Sequence, residues 1–134
     1  IIAQKKLNNI KLIKSDRLAL DDKVKYFSES GCFLFPSYSE NFPLVIIEAA
    51  AASMPIISTR VGAVPEFFTV EQNILFVEAG NIEQINSAII RISKEEIETK
   101  KLGSNARQVY LQKLRLPIII KQLKEGYKKV IEQC

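Results

Sequence analysis

A chain of 134 residues, 47% of them hydrophobic and 25% charged, has the composition of one globular domain with a real core and excludes a disordered segment. No apolar run approaches the roughly 20 residues that a bilayer-spanning helix needs. The complete absence of histidine excludes the usual zinc ligand sets and every nucleophile triad built on an imidazole.

The net charge of +4 is unevenly spread: from Lys94 onward ten Lys and Arg face five Glu, whereas the preceding part has nine against ten. A basic end of this kind has the charge to meet phosphates, nucleic acid or the surface of an anionic membrane. It lacks the interleaved aromatic residues of a nucleic-acid platform, so nucleic acid is not an expected partner, and the lysines read first as the wet faces of surface helices. Cys32 and Cys134 show no disulfide or metal spacing, which fits a reducing, cytoplasmic setting. The opening Ile1-Ile2-Ala3, with no methionine and no charged leader, suggests a piece of a longer polypeptide.

In chain order, Asn9–Ile13 alternates apolar residues and reads as a strand, with a turn at Lys14–Asp16. Leu18, Leu20, Val24 and Phe27 recur at helical spacing, and Gly31 supplies a stop. Gly31–Phe35 is a short apolar run ending in Pro36-Ser37, a buried strand meeting a loop. A helix is expected from Phe42 with Asn41 as its N-cap and Pro43 in the first turn, followed by a strand over Pro55–Thr59. Val61–Glu66 reads as a loop opening a short helix that carries Phe67 and Phe68, and Asn73–Val77 as the fourth strand. Asn81 with Gln84 forms a capping box for a helix whose stripe is Ile82, Ile85, Ile89 and Ile92. Leu102, Ala106, Val109, Tyr110 and Leu114 mark the next helix. A last one runs from Pro117 to Glu132 with Ile119, Ile120, Leu123, Tyr127, Val130 and Ile131 expected inward. Strand and helix alternating in this way make a doubly wound parallel α/β sheet, closed by C-terminal helices.

Two carboxylates stand out against this pattern. Leu44 to Ala52 is apolar all round except at Glu48, and a lone carboxylate on a buried cylinder costs several kcal/mol unless it meets water, a polar partner or a ligand. Glu40 lies eight residues earlier, at the strand–loop–helix junction where open α/β sheets place ligands, beside a helix start whose N–H groups favour anions.

The ordered set Pro36-Ser37, Glu40-Asn41-Phe42-Pro43-Leu44-Val45-Ile46-Ile47-Glu48, Met54-Pro55-Ile56-Ile57 and Val61-Gly62-Ala63-Val64-Pro65-Glu66 resembles a known signature. It is similar to the E-x7-E region in the C-terminal domain of retaining, nucleotide-sugar-dependent glycosyltransferases of the two-domain GT-B architecture, the large family-4 group. Leu102–Arg107 and Tyr127 match the tail pattern of the same family. The resemblance implies a Rossmann-like half of a GT-B fold over residues 1–134, truncated on its N-terminal side, with an acceptor-binding domain upstream. It implies a nucleotide-diphosphate sugar as donor, a saccharide or lipid as acceptor, and transfer with retention. Glu40 would be the catalytic-site carboxylate that accepts hydrogen bonds from the donor sugar, and Glu48 would hold the ribose hydroxyls. The N–H groups of Asn41, Phe42, Leu44 and Val45 would meet sugar or phosphate oxygens, and the turn at Lys14–Asp16 would lie near the nucleobase. No cofactor and no metal are expected, since no Asp-x-Asp motif occurs.

The chain departs from the family at Asn41, Ser53, Ala63 and Ile74, where glycine is common; Ile74 in particular implies a reshaped turn, because a β-branched residue resists positive φ. With the phosphate-binding Arg and Lys of the family expected upstream, the fragment is expected not to catalyse transfer alone. The alternatives are a non-catalytic nucleotide-sugar-binding or partner-docking module and, on the same fold, a nucleotide-sugar epimerase. The resemblance also admits work at the inner face of the membrane through peripheral contact.

Overall fold

The computed structural model describes residues 19–132. The expected strand at Asn9–Ile13, the turn at Lys14–Asp16, Leu18 and Cys134 lie outside the described residues. Within them run α1 (Leu20–Glu29), β1 (Phe33–Phe35), α2 (Leu44–Ala51), β2 (Ile56–Thr59), α3 (Val64–Phe67), β3 (Leu75–Val77), α4 (Ile82–Lys94), α5 (Glu96–Val109), a π-helical turn (Tyr110–Leu114) and α6 (Leu116–Ile131). The strands pair in parallel in the order β1-β2-β3, with Phe33 opposite Ile56 and Ile57 opposite Leu75.

The middle strand explains the layering. All four residues of β2 are buried, and because successive side chains leave a strand on opposite faces, each face needs its own cover. Ile56 joins Ile46, Ala49, Ala50, Val64 and Ala106 under α2 and α5, whereas Ile57 joins Leu75, Val77 and Leu102, with Ile85, Ala88 and Ile92 of α4 packed against them. Helices therefore cover both faces, as a doubly wound sheet requires. On β1, Phe33 takes the edge of the Phe27 ring of α1, with centroids 5.8 Å apart.

Several boundaries and faces differ from the sequence reading. α1 ends at Glu29, two residues before Gly31, but with Ser30 extended (φ −96°, ψ 144°) and no left-handed turn at Gly31. Asn81 does cap α4, its side chain accepting from the Gln84 N–H at 3.0 Å, but the Gln84 carboxamide oxygen accepts from the Glu78 N–H instead of closing the box. The α4 stripe that packs is Ile85, Ala88 and Ile92, leaving Ile82 and Ile89 exposed. The five-residue step from Val109 to Leu114 is bridged by the π-helical turn, which keeps both buried. On α6 the residues expected inward face out: from Ile119 (39% exposed) to Ile131 (74%), the whole apolar stripe is wet, because α6 leans on the π-helical turn and little else.

Backbone contacts that admit no side chain fix two positions. On α5, a Cβ on Gly103 would stand 2.2 Å from the Ser53 carbonyl oxygen, so the helix crosses the α2–β2 corner at glycine only. Ser53 itself takes φ +60°, the left-handed conformation for which glycine is suited. Between β2 and α3, a Cβ on Gly62 would stand 1.7 Å from the Asn41 carbonyl oxygen, and Gly62 has φ +50°. Ile74, by contrast, is fully buried without positive φ; the left-handed residue of that turn is Glu71 (φ +62°), and Asn73 closes it by accepting from the Thr69 N–H at 2.8 Å. The positive φ of this turn thus falls three residues before Ile74.

These contacts predict unequal costs for the same methyl group. Gly103→Ala is expected to lower unfolding free energy by about 1–3 kcal/mol through overpacking, and Gly62→Ala by about 2 kcal/mol or more, clash and backbone conformation together. Gly31→Ala, which meets nothing within 4 Å, should stay within about 0.5 kcal/mol of the parent. Ser53→Gly should raise stability by about 0.5–1 kcal/mol by relieving the left-handed residue. Urea unfolding of the four variants, read as a shift in midpoint, checks the order.

Candidate functional site

In a parallel sheet the loops that follow the strands all emerge at one end. The loop after β1 (36–43) and the loop after β2 (60–63) are therefore neighbours, and two hydrogen bonds lock them together. The Thr59 hydroxyl donates to the Ser37 carbonyl at 2.6 Å, and the Ala63 N–H donates to the Asn41 carbonyl at 2.8 Å. Glycine at 62 lets the second loop lie on the first, which sets the path of the Glu40–Asn41 backbone.

Glu40 stands exposed on this ledge, within a loose 3.4 Å contact of the Ser37 hydroxyl. Asn41 is also exposed and does not cap the following helix. The N-cap is Pro43 (φ −72°, ψ 116°), no side chain caps the start, and α2 begins at Leu44. Two constraints move the start: the residue before a proline is held extended, and the Asn41 backbone is already committed to Ala63. The Ile46 N–H bonds to the Pro43 carbonyl at 3.1 Å, while the N–H groups of Leu44 and Val45 belong to the first turn, where a helix supplies no acceptor of its own. Leu44 is exposed and Val45 half-buried. The Phe42 ring turns away and stacks on Phe67 with centroids 5.1 Å apart, so its part in a site is limited to its backbone.

Glu48 lies in the second turn of α2, half-buried, and has the polar partner that its surroundings demand. The Lys23 ammonium reaches both of its oxygens, at 3.0 and 3.1 Å. α1 leads directly into β1 and so runs back against it, which brings the first turn of α1, with Lys23, to the same end of the sheet as the two loops. Nothing in the sequence marked Lys23, because its partner is 25 residues away. Arg60, at the end of β2, is exposed and holds its guanidinium 4.3 Å above the Phe76 ring.

The recesses of the surface lie elsewhere. A cavity of about 480 Å³ between α4, α5 and the turn before β3 is lined by Glu71, Arg91, Glu98, Lys101 and Asn105, at the opposite end of β3 from the loops. Arg91, on its lining, pairs with Glu71, Glu95 and Glu98. Glu40 and Glu48 line none of these recesses: Glu40 is exposed on its loop and Glu48 half-buried on α2. Half-buried Cys32 sits at the entry to β1, where burial pushes its thiol up and keeps it protonated as a packing residue. Among the described residues no three His, Cys, Asp or Glu gather as a metal set, and no helix is long and apolar enough to cross a membrane.

Known proteins resemble this chain in sequence and fold. Residues 2–109 match the family model for glycosyl transferases group 1. The chain is 29% identical over 126 residues to the capsular polysaccharide biosynthesis glycosyltransferase CapM of Staphylococcus aureus, covering 93% of this chain and 32% of that protein. Among solved structures it is similar to the sucrose-phosphate synthase of Thermosynechococcus elongatus (TM-score 0.74, 28% identity, 81% of this chain and 27% of the other). The Anabaena protein Alr3699/HepE, crystallised with UDP, shares the fold (TM-score 0.74, 20% identity, 78% of this chain and 29% of the other). The chain thus spans about a third or less of each of these proteins. The parallel sheet with helices on both faces agrees with that match, and a family model that covers residues 2–109 decides it: the chain belongs to the glycosyl transferases group 1 family.

Proposed function

We propose that this chain is the nucleotide-sugar-binding, C-terminal domain of a glycosyltransferase, and that the donor lies on the ledge formed by the loops after β1 and β2. The observation that carries the reading is the clamp between those loops. It fixes Glu40 beside the uncapped start of α2, with Glu48 one turn further along the same helix. The capsular polysaccharide role in the name of CapM and the UDP bound to Alr3699/HepE support a nucleotide-sugar donor and a place in polysaccharide or glycoconjugate synthesis.

In this reading Glu40 accepts hydrogen bonds from hydroxyls of the donor sugar near the reacting carbon, a task that suits a carboxylate because both oxygens are pure acceptors. Glu48 receives the ribose hydroxyls. The N–H groups of Asn41, Phe42, Leu44 and Val45 face sugar or phosphate oxygens, while Pro43 has none to give. As the bond between the sugar and the diphosphate breaks, its electron pair stays on the phosphate oxygen, where the helix start favours the growing negative charge. An acceptor hydroxyl from a saccharide or lipid forms the new bond on the same face, with retention, and passes its proton to the departing phosphate oxygen. The acceptor is bound by an N-terminal domain of the same polypeptide, and the reaction uses neither cofactor nor metal. The work is done in the cytoplasm, at the inner face of the membrane where the acceptor is a lipid.

The two carboxylates should fail differently in the full-length protein. Glu40→Gln is expected to lower kcat by about tenfold to a hundredfold with little change in donor affinity, the loss of one charge-assisted hydrogen bond at the reacting sugar. Glu48→Gln is expected to weaken nucleotide binding by about tenfold while leaving kcat closer to the parent. Steady-state kinetics and calorimetric titration with nucleoside diphosphates separate the two, and unchanged turnover in both variants would remove the assigned roles.

A further inference from the structure

The partner of Glu48 carries a consequence for ligand choice. The Lys23 ammonium lies at nearly equal distances from the two oxygens, 3.0 and 3.1 Å, which places the nitrogen over the open side of the carboxylate, between them. That is also the side that a vicinal diol must take if its two hydroxyls are to donate one to each oxygen. A carboxylate offers further lone pairs on its outer edges, but these point apart and cannot both serve adjacent hydroxyls.

We propose that Lys23 is a specificity-determining residue of the donor site: its ammonium occupies the diol-binding face of Glu48, and a ribonucleotide binds there by displacing it. The inference rests on the assignment of Glu48 to the ribose. Three observations support displacement over a permanent bridge. The pair is part-exposed, with side chains 31% and 39% accessible, so an exchange of partners needs no opening of the core. Lysine holds the carboxylate through one compact charge on a flexible stem, without the rigid fork of arginine. The position of Lys23 in the first turn of α1, at the loop end of the sheet, leaves the released ammonium beside a ligand that brings phosphate charge of its own.

The consequence is that Lys23 taxes the ribose contact specifically. A ribonucleotide spends part of its diol binding on evicting the lysine, and a deoxyribonucleotide, with no vicinal diol, neither gains the contact nor evicts it. The quantity to measure is the ratio of Kd for a deoxyribonucleoside diphosphate to Kd for its ribo counterpart. Contacts that the two forms of the nucleotide share cancel in that ratio, which therefore reads the net cost of moving the ammonium off Glu48.

The test is titration of the full-length protein with UDP, ADP and GDP to find the tightest, then with that nucleotide and its deoxy form. Lys23→Met is expected to raise the ratio about two- to fivefold, the range set by part-exposed ion pairs, and Lys23→Arg to leave it nearer the parent value. Added salt should raise the ratio in the parent, by screening the pair, and leave Lys23→Met unmoved. A ratio that is unchanged or lowered by Lys23→Met, in a variant whose thermal unfolding matches the parent, overturns the proposal and makes Lys23 a support for Glu48 instead. If Glu48→Gln fails to collapse the ratio in the parent background, the assignment of Glu48 to the ribose is what has failed.

Discussion

The site depends on one contact in which only a hydrogen atom fits. Gly62 lies against the backbone of Asn41 so closely that a methyl group would overlap the carbonyl, and the neighbouring Ala63 N–H uses that same carbonyl as its acceptor. Loop carbonyls at the end of a sheet must find donors somewhere. Here those of Ser37 and Asn41 find them on the next strand unit, so two loops that would each be mobile alone become one surface. The position of Glu40 is thereby decided by residues more than 20 places further along the chain.

Support for that surface comes from below. β2 is buried on both faces and at every position, so it cannot shift without disturbing the two apolar clusters it separates. At the other end of α2 the corner into β2 is pinned by Gly103 of α5 and by the left-handed Ser53, with the Arg107 guanidinium donating to the Ala51 carbonyl. α2 is thus fixed at its end and clamped ahead of its start, which leaves the Glu48 carboxylate with few ways to move except by exchanging partners. Carboxylates on rigid elements beside open backbone donors are what recognition of a polyhydroxylated, phosphorylated ligand calls for.

The elements and their order were legible because each carries a local signal: the apolar run that follows Pro55, the Asn81 cap, the spacing of Leu102, Ala106 and Val109. The E-x7-E spacing was legible for the same reason. What was not legible depends on distant partners. Asn41 has the chemistry of an N-cap, but a carbonyl pulled toward Ala63 and a proline two residues on move the helix start to Leu44. Lys23 looks like any surface lysine until α1 is folded back against β1. Ile74, in a position where glycine is common, suggested a reshaped turn; which residue of that turn takes positive φ was not legible, and it is Glu71, whose side chain reaches Arg91. For α6 the pattern gave the right period and the wrong environment, since a stripe states which side is apolar and not whether anything covers it.

That last helix also bears on how the chain loses its structure. The side chains along its apolar face are already largely hydrated, so melting α6 releases little new greasy surface beyond its first turns and should add little to the heat capacity of unfolding. Its amide protons, guarded by little beyond the helix's own ladder, will trade with solvent through openings far cheaper than those of the three strands. A thermogram of this chain therefore reports on the sheet and its two covering layers, and is nearly blind to the sixteen residues of its final helix.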